Sequence, residues 1–238
     1  MNCVKILSFD TATPFCTVAL TEGTIRQGQV LASLTFRGLT HSRRLLSSVD
    51  RLMQGLELGW ADLDGVAVGF GPGSFTGLRI GMATARGLTF SAGLPLLGCS
   101  TLELVAAGAG AHLPGERICA VLDARKKEVY AQCFELEDGR IHRCEEPVVL
   151  SPLELVSHLA GPVLFVGDGA VLYRELLIRE LGERARFAPA WCNHPAAEVL
   201  GFLGAEQLEA GEKVAGADNA PLYIRKSDAE LNLAQKRK

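Results

Sequence analysis

The chain has 238 residues, of which 48% are apolar and 21% charged, enough hydrophobic material for one large domain or two small ones. This composition excludes a protein that is disordered over most of its length. The net charge of −3 and the pI of about 6.0 exclude a general attraction to nucleic acid, so contact with RNA would need a local basic patch or a basic partner.

Seven cysteines are spread along the chain without a Cys-x-x-Cys pair, at positions 3, 16, 99, 119, 133, 144 and 192. This spacing argues against a zinc site or a disulfide framework and predicts mostly buried small side chains in a reducing compartment. The N-terminus lacks the basic start and apolar run of a signal peptide, and no apolar segment is long enough to span a membrane. We therefore expect a cytoplasmic protein without a membrane partner.

The first half alternates strand and helix patterns. Residues 4–9, 15–20 and 30–36 are strand-like and are joined by glycine turns, which predicts a meander. Residues 42–56 are predicted to form an amphipathic helix with Thr40 as its N-cap. Its apolar residues recur at helical spacing: Leu45, Leu46, Val49, Leu52, Met53 and Leu56.

A glycine-rich stretch joins a short buried strand at 66–68 to a helical pattern over 76–91. It reads Gly69-Phe70-Gly71-Pro72-Gly73-Ser74-Phe75-Thr76-Gly77-Leu78-Arg79-Ile80-Gly81. Bare amides in such a turn and the helix dipole both favour an anion, and an aspartate follows the first strand. The candidate anion-binding loop is Asp10, Gly71, Gly73 and Ser74, although an aspartate at such a place also simply favours turns.

Two familiar phosphate-binding motifs do not fit this stretch. A P-loop needs Gly-Lys-Ser/Thr at its end, where this chain has Gly77-Leu78-Arg79. A dinucleotide fingerprint needs another glycine spacing and an acidic residue about twenty positions further on. A serine hydrolase is also disfavoured, because Ser74 directly follows its glycine and misses the Gly-x-Ser-x-Gly pattern.

After a short strand at 94–97, the second half repeats the order of strands and helices without similarity at the level of residues. Capping boxes at 100–103 and 151–154 open two helices. The other predicted elements are strands at 118–122, 129–134 and 163–166 and helices at about 171–181 and 196–208. The residues alone therefore support a mixed α/β layer architecture.

The glycine-rich stretch resembles the signature of the TsaB (YeaZ-like) family, bacterial proteins that help to make threonylcarbamoyladenosine in tRNA. The resemblance extends to Asp10-Thr11-Ala12-Thr13, to residues 41–46, 123–130 and 221–225, and so to nearly the whole chain. It implies an α/β protein with two ribonuclease-H-like lobes of the actin/hexokinase/Hsp70-like (ASKHA) fold. The expected lobes are residues 1–99 and residues 100–226, whose last helix can return to the first lobe, before a flexible tail at 227–238.

The catalytic paralogue of this family, TsaD, carries a metal-binding His-x-x-x-His after its equivalent of this loop and strand. The corresponding positions here, counted from Pro95, hold Thr101 and Val105, which cannot replace imidazole ligands. The five histidines, at 41, 112, 142, 158 and 194, form no local ligand pair either. The resemblance thus implies a subunit with no catalytic residues, no metal and no cofactor of its own.

The partners that the resemblance implies are TsaD, in a heterodimer, and the ATPase TsaE in a larger complex. The modified adenosine lies next to the anticodon, and the chain is expected to meet tRNA only through the complex. In isolation it can form a homodimer. The basic end, Lys236-Arg237-Lys238, is predicted to be a frayed tail rather than an RNA contact.

The partner surface is predicted on the helices at 42–56 and 76–91. The second helix is apolar around almost its whole circumference, so it must be covered on more than one side. Gly77, Gly81 and Ala85, at a spacing of four, predict a shallow face for another helix, unless that face packs within its own lobe. The interface candidates are Leu45, Leu46, Val49, Met53, Gly77, Gly81 and Ala85.

Two enzyme classes remain as alternatives. One is a glycoprotease-like metallopeptidase, which the missing histidine ligands disfavour. The other is an ASKHA-type small-molecule kinase, in which Asp10, Asp123 and Asp168 would converge on a nucleotide between the lobes. The fold by itself does not guarantee either activity.

Overall fold

The computed structural model describes residues 3–38, 41–110, 117–137, 140–211 and 224, without the side chains of residues 41–43 and 140. The first half contains β1 (Lys5–Asp10), β2 (Phe15–Glu22), β3 (Gln29–Arg37), α1 (His41–Gly55), β4 (Gly65–Gly69), α2 (Phe75–Ala92) and β5 (Leu96–Cys99). Its sheet has the order β3-β2-β1-β4-β5, in which β1 to β3 are antiparallel and β4 and β5 run parallel to β1. The predicted meander is confirmed.

The second half begins with α3 (Thr101–Gly110) and continues with β6 (Ile118–Arg125), β7 (Glu128–Glu137), β8 (Arg140–Arg143), β9 (Val148–Leu150), α4 (Pro152–His158), β10 (Val163–Val166), α5 (Asp168–Leu172), α6 (Arg174–Leu181), β11 (Ala185–Phe187) and α7 (Ala197–Glu209). Its sheet has the order β11-β10-β6-β7-β8, with β9 also paired to β7. None of the described helices has the length and apolar character needed to cross a bilayer.

Sequence and structure differ at a few elements. β8, β9 and β11 were not predicted, because β9 and β11 have only three residues and β8 is mostly charged or polar, so none carries the apolar run that reveals β10. The strand expected at 94–97 lies at Leu96–Cys99. The helix expected at 171–181 is two helices, because the backbone of Tyr173 departs from helical geometry and ends α5. The predicted N-cap Thr40 and the tail at 227–238 lie outside the described residues.

The first sheet is covered on both faces. Alternate strand residues point to opposite sides, so Leu7 and Phe9 of β1 pack under α1 and α2, while Ile6 packs under α7. The helix α7 comes close to the strands through Gly201, where a Cβ would lie 2.3 Å from the Thr21 hydroxyl oxygen. The last described helix therefore rests on the first sheet.

The second sheet also has helices on both faces. α3 packs on one face through Leu102, Val105 and Ala106, and α4, α5 and α6 cover the other. Leu104 of α3 joins the cluster beneath α7, so α3 contributes to the cores of both sheets. The lobe boundaries at residues 1–99 and 100–226 stay predictions.

Candidate functional site

The glycine-rich loop lies against the turn after β1, and Asp10 is at the centre of this contact. Asp10 is fully buried, and its carboxylate accepts hydrogen bonds from the Ala12 N–H at 2.8 Å and from the Thr101 hydroxyl at 2.9 Å. The same hydroxyl accepts from the Gly71 N–H, and the Thr101 N–H donates to the Gly71 carbonyl. One network therefore joins the end of β1, the loop and the start of α3.

Glycine is required along this contact because backbone atoms fill the places where side chains would be. A Cβ at Gly73 would lie 2.2 Å from the Ala12 carbonyl oxygen, and one at Gly77 would lie 2.0 Å from the Thr11 carbonyl oxygen. Gly81 leaves room for the Thr11 hydroxyl, which donates to the Gly77 carbonyl at 2.8 Å. The glycines allow α2 to begin in direct contact with the β1 turn.

The structure brings the four candidate anion-binding residues together: Asp10, Gly71, Gly73 and Ser74. Donors of this loop are, however, used inside the chain. The Ser74 N–H donates to the Ala12 carbonyl at 2.6 Å, and the Ser74 hydroxyl accepts from the Gly77 N–H as the N-cap of α2. Anion binding at this loop stays a prediction, and a bound anion would also meet the carboxyl group of Asp10.

Six of the seven interface candidates are buried inside the chain: Leu45, Val49, Met53, Gly77, Gly81 and Ala85. The small residues at a spacing of four on α2 are the ones that approach the β1 turn and the sheet. The shallow face that they form is therefore turned inward, and not toward a partner helix as expected. Leu46, with 48% of its surface exposed, is the one candidate that can reach a partner. Partner binding by these two helices stays a prediction.

Other residues form the outer face of α2. Phe90 is 93% exposed, Ala83 and Gly87 are exposed, and a Cβ at Gly87 would meet nothing within 4 Å. Their spacing of four and three places these residues on one side of the helix. Sequence reasoning missed them, because a helix that is apolar all round does not show which of its sides the sheet will cover.

The segments of α1 and α2 are also basic, and Arg79 and Arg86 lie on the outer side of α2. The segments of α1 and α2 contain five arginines and a single acidic residue, Asp50, although the chain as a whole has a net charge of −3. Four of these arginines are exposed: Arg44, Arg51, Arg79 and Arg86. The charge of these two segments is thus opposite to that of the chain as a whole.

The other two aspartates of the kinase alternative lie together in the second sheet. The Asp168 carboxylate accepts a hydrogen bond from the Asp123 N–H at 3.0 Å, and the Asp123 carboxylate pairs with Arg125 at 3.0 Å. Burial raises the pKa of Asp168, while the bond from Asp123 lowers it. Asp10 is held separately by Thr101 and Ala12, so each of the three carboxylates already has a partner within the chain.

The buried carboxyl of Asp10 should make the stability of the protein depend on pH. Burial raises its pKa from 3.8 to about 6, against the hydrogen bonds from Ala12 and Thr101 that lower it. Between these values the folded state binds more protons than the unfolded state, so the free energy of unfolding falls as pH rises. From about pH 4 to pH 7 we expect a loss of roughly 2–3 kcal/mol from this group.

The isosteric variant Asp10→Asn isolates this effect because its side chain does not titrate. Urea unfolding of both proteins across the same pH range gives the difference in free energy of unfolding at each pH. We expect the advantage of the unchanged protein over the variant to shrink steadily as pH rises. A difference that stays constant would show that the Asp10 pKa is the same in the folded and unfolded states.

Comparison with known proteins places this chain among named relatives. The family model described as TsaD, tRNA N6-adenosine threonylcarbamoyltransferase, matches residues 36–233. The Escherichia coli protein named tRNA threonylcarbamoyladenosine biosynthesis protein TsaB is 35% identical over 98% of this chain and 100% of its own length. The Bacillus subtilis protein of the same name is 32% identical over 99% and 100%.

Solved structures agree with these relatives. A crystal structure of a Pseudomonas aeruginosa protein, described as similar to peptidase YeaZ, has a TM-score of 0.77 and 30% identity and covers 93% of this chain and 100% of its own. The ROK hexokinase of Thermus thermophilus, at 15% identity and a TM-score of 0.50, shows a shared fold alone and covers 88% and 100%. The predicted ASKHA fold class is confirmed, and the chain belongs to the TsaB (YeaZ-like) family, within the wider family of the TsaD model.

Proposed function

We propose that the chain is a non-catalytic subunit of the machinery that makes threonylcarbamoyladenosine in tRNA, at the adenosine next to the anticodon. The names of its full-length relatives support the pathway. The observation that supports the non-catalytic role is Thr101. It stands where a TsaD-type histidine would stand, and its hydroxyl is hydrogen-bonded to Asp10 and Gly71. Val105, at the second ligand position, is buried in the core of the second sheet.

The same residues count against a metallopeptidase. A catalytic zinc is commonly held by three protein ligands and a water. Within the described ranges, no group of three His, Cys, Asp or Glu side chains could hold a metal ion. A kinase function has less support than a non-catalytic subunit. The carboxylates of Asp10, Asp123 and Asp168 each form a hydrogen bond or an ion pair within the chain.

We propose TsaD as the direct partner and the outer face of α1 and α2 as the surface that it covers. Leu46 and Phe90 supply exposed apolar area, and Ala83 and Gly87 let another helix approach closely. The arginines of this face favour a partner surface with acidic residues. Two copies of the face repel each other, so charge favours the heterodimer over a homodimer. TsaE would join the larger complex, in the cytoplasm.

Reconstitution tests the division of labour. We expect transfer to tRNA in a mixture of this chain, TsaD, TsaE and threonylcarbamoyl-adenylate. Omitting either this chain or TsaD should reduce the product to background. TsaD would supply the metal centre, and this chain would hold TsaD in an active form. The control is a mixture in which this chain is replaced by heat-denatured protein. Full transfer without TsaD would show that the chain is itself catalytic.

A further inference from the structure

Three of the seven cysteines lie side by side, two of them in the second sheet and the third, Cys144, directly after β8. Cys119 of β6 stands directly opposite Cys133 of β7. On the other side of β7, the pairing of Phe134 with Arg143 places Cys144 opposite Cys133, and the Cys144 N–H donates to the Cys133 carbonyl at 3.0 Å. Directly opposite residues of antiparallel strands point to the same face, so the three thiols form a row, here called the cysteine row.

The hydrogen-bond pattern of the sheet sets the spacing along this row. In a strand, the N–H and the C=O of one residue point toward the same neighbouring strand. The backbone groups of Cys133 point toward Cys144 and therefore away from β6. Toward β6, Cys133 therefore forms a non-hydrogen-bonded pair with Cys119, with Cα atoms about 4.5 Å apart, against about 5.5 Å for the pair with Cys144. A disulfide spans both distances. Cys133 and burial raise the pKa of the Cys119 thiol, in agreement with two side chains that lie close together.

The row leads from the surface into the core. Cys144 is exposed, whereas Cys133 and Cys119 are fully buried on the face covered by α4, α5 and α6. Burial and the nearby Glu135 carboxylate raise the pKa of the Cys144 thiol, whereas Arg117 nearby lowers it, so oxidation at Cys144 should be slow. The Arg117 Nε atom is buried without a hydrogen-bond partner in the described part of the chain. The exposed end of the row is therefore flanked by a carboxylate and a guanidinium group.

We propose that the cysteine row is an oxidation site, at which a peroxide reacts with Cys144 and the chain closes an internal disulfide with Cys133. In the first step the O–O bond breaks, the Cys144 thiol becomes a sulfenic acid and one water leaves. In the second step the Cys133 sulfur attacks the Cys144 sulfur, the S–O bond breaks and a second water leaves. Two thiols and one hydrogen peroxide thus give one disulfide and two waters.

The position of Cys119 permits one further exchange. Because β7 lies between β6 and β8, Cys119 is on the far side of Cys133 from Cys144, which is the side from which a thiol–disulfide exchange would proceed. Attack of Cys119 on Cys133 forms the Cys119–Cys133 disulfide and returns Cys144 as a thiol, which takes up the proton that Cys119 loses. The neighbouring Cys133 and burial raise the pKa of Cys119, so this exchange should be slow.

Peptide mapping can follow each bond, because basic residues at 125–127, 140 and 143 let trypsin place the three cysteines on separate peptides. The full chain is reduced, treated with hydrogen peroxide, blocked with iodoacetamide and digested without reduction. We expect a Cys133–Cys144 crosslink, lighter by two hydrogen atoms than the free peptides. With time, it should be replaced by a Cys119–Cys133 crosslink.

Single substitutions identify the role of each thiol. Cys144→Ser alters an exposed side chain and should fold normally, as thermal unfolding checks, yet form neither crosslink. Cys119→Ala should trap the Cys133–Cys144 crosslink. Cys3→Ser removes the other exposed thiol and is the matched control, which should behave like the unchanged protein. Equal crosslinking of Cys144→Ser and the unchanged protein would overturn the proposal. So would a Cys144 that ends as sulfinic acid while Cys133 remains a free thiol.

Discussion

Replacing Gly77 with alanine should lower the free energy of unfolding by about 3 kcal/mol, which is typical of a severe overpacking. The new Cβ would lie 2.0 Å from the Thr11 carbonyl oxygen, a backbone atom that cannot rotate away. The start of α2 would then have to move off the β1 turn, which also weakens the bond from the Thr11 hydroxyl to the Gly77 carbonyl. Thermal or urea unfolding of the purified variant measures this loss.

Gly87→Ala is the matched control because it makes the same chemical change in the same helix. Gly87 is exposed, and its Cβ would meet nothing within 4 Å. Alanine should therefore raise the free energy of unfolding by about 1 kcal/mol, through helix propensity alone. Equal effects at Gly77 and Gly87 would mean that α2 does not touch the β1 turn as described.

Glutamate at two neighbouring positions of α2 should separate folding from partner binding. Ala85 is fully buried between the helices and the sheet, so Ala85→Glu should cost about 4 kcal/mol or more and leave little folded protein. Ala83 is exposed, so Ala83→Glu should change the free energy of unfolding by at most about 0.5 kcal/mol. In the complex, however, Ala83→Glu would place a bulky negative charge against the acidic residues expected on the partner surface. Association should therefore be lost.

The measurement is complex mass with TsaD, by light scattering or native mass spectrometry, beside thermal unfolding of each variant. Leu172→Glu is the control for an added charge, since Leu172 is a 58% exposed apolar residue on α5, away from α1 and α2. It should leave association intact. An unchanged complex with folded Ala83→Glu would show that the outer face of α2 is not the partner surface.

Some elements were predictable from the residues because their signals are local. The apolar run at 163–166, followed by a glycine, predicted β10 to the residue. The capping box at 151–154 is present with both of its hydrogen bonds, and Pro152 opens α4 as expected. α1 lies within one residue of its prediction, since its core-facing residues follow the helical period. Five of the seven cysteines are buried, as their scattered positions predicted.

The residues by themselves also indicated the family, and they show Thr101 and Val105 at the positions where the resemblance to TsaD would expect histidines. What Thr101 does instead was decided by the fold, which brings its hydroxyl to Asp10, 91 positions away. Such a contact leaves no trace in periodicity or spacing.

Only the tertiary structure decided which faces are inside and which side chains meet. Several sides of α2 are equally apolar, so its sequence does not show which side is buried. The buried side is set by the close approach of Gly77 and Gly81 to Thr11. The cysteine row likewise depends on the register of β6, β7 and β8, and a shift by one residue would turn each thiol to the other face. Strand register and helix orientation are set by packing between distant segments, whereas sequence patterns report only on the segment that carries them.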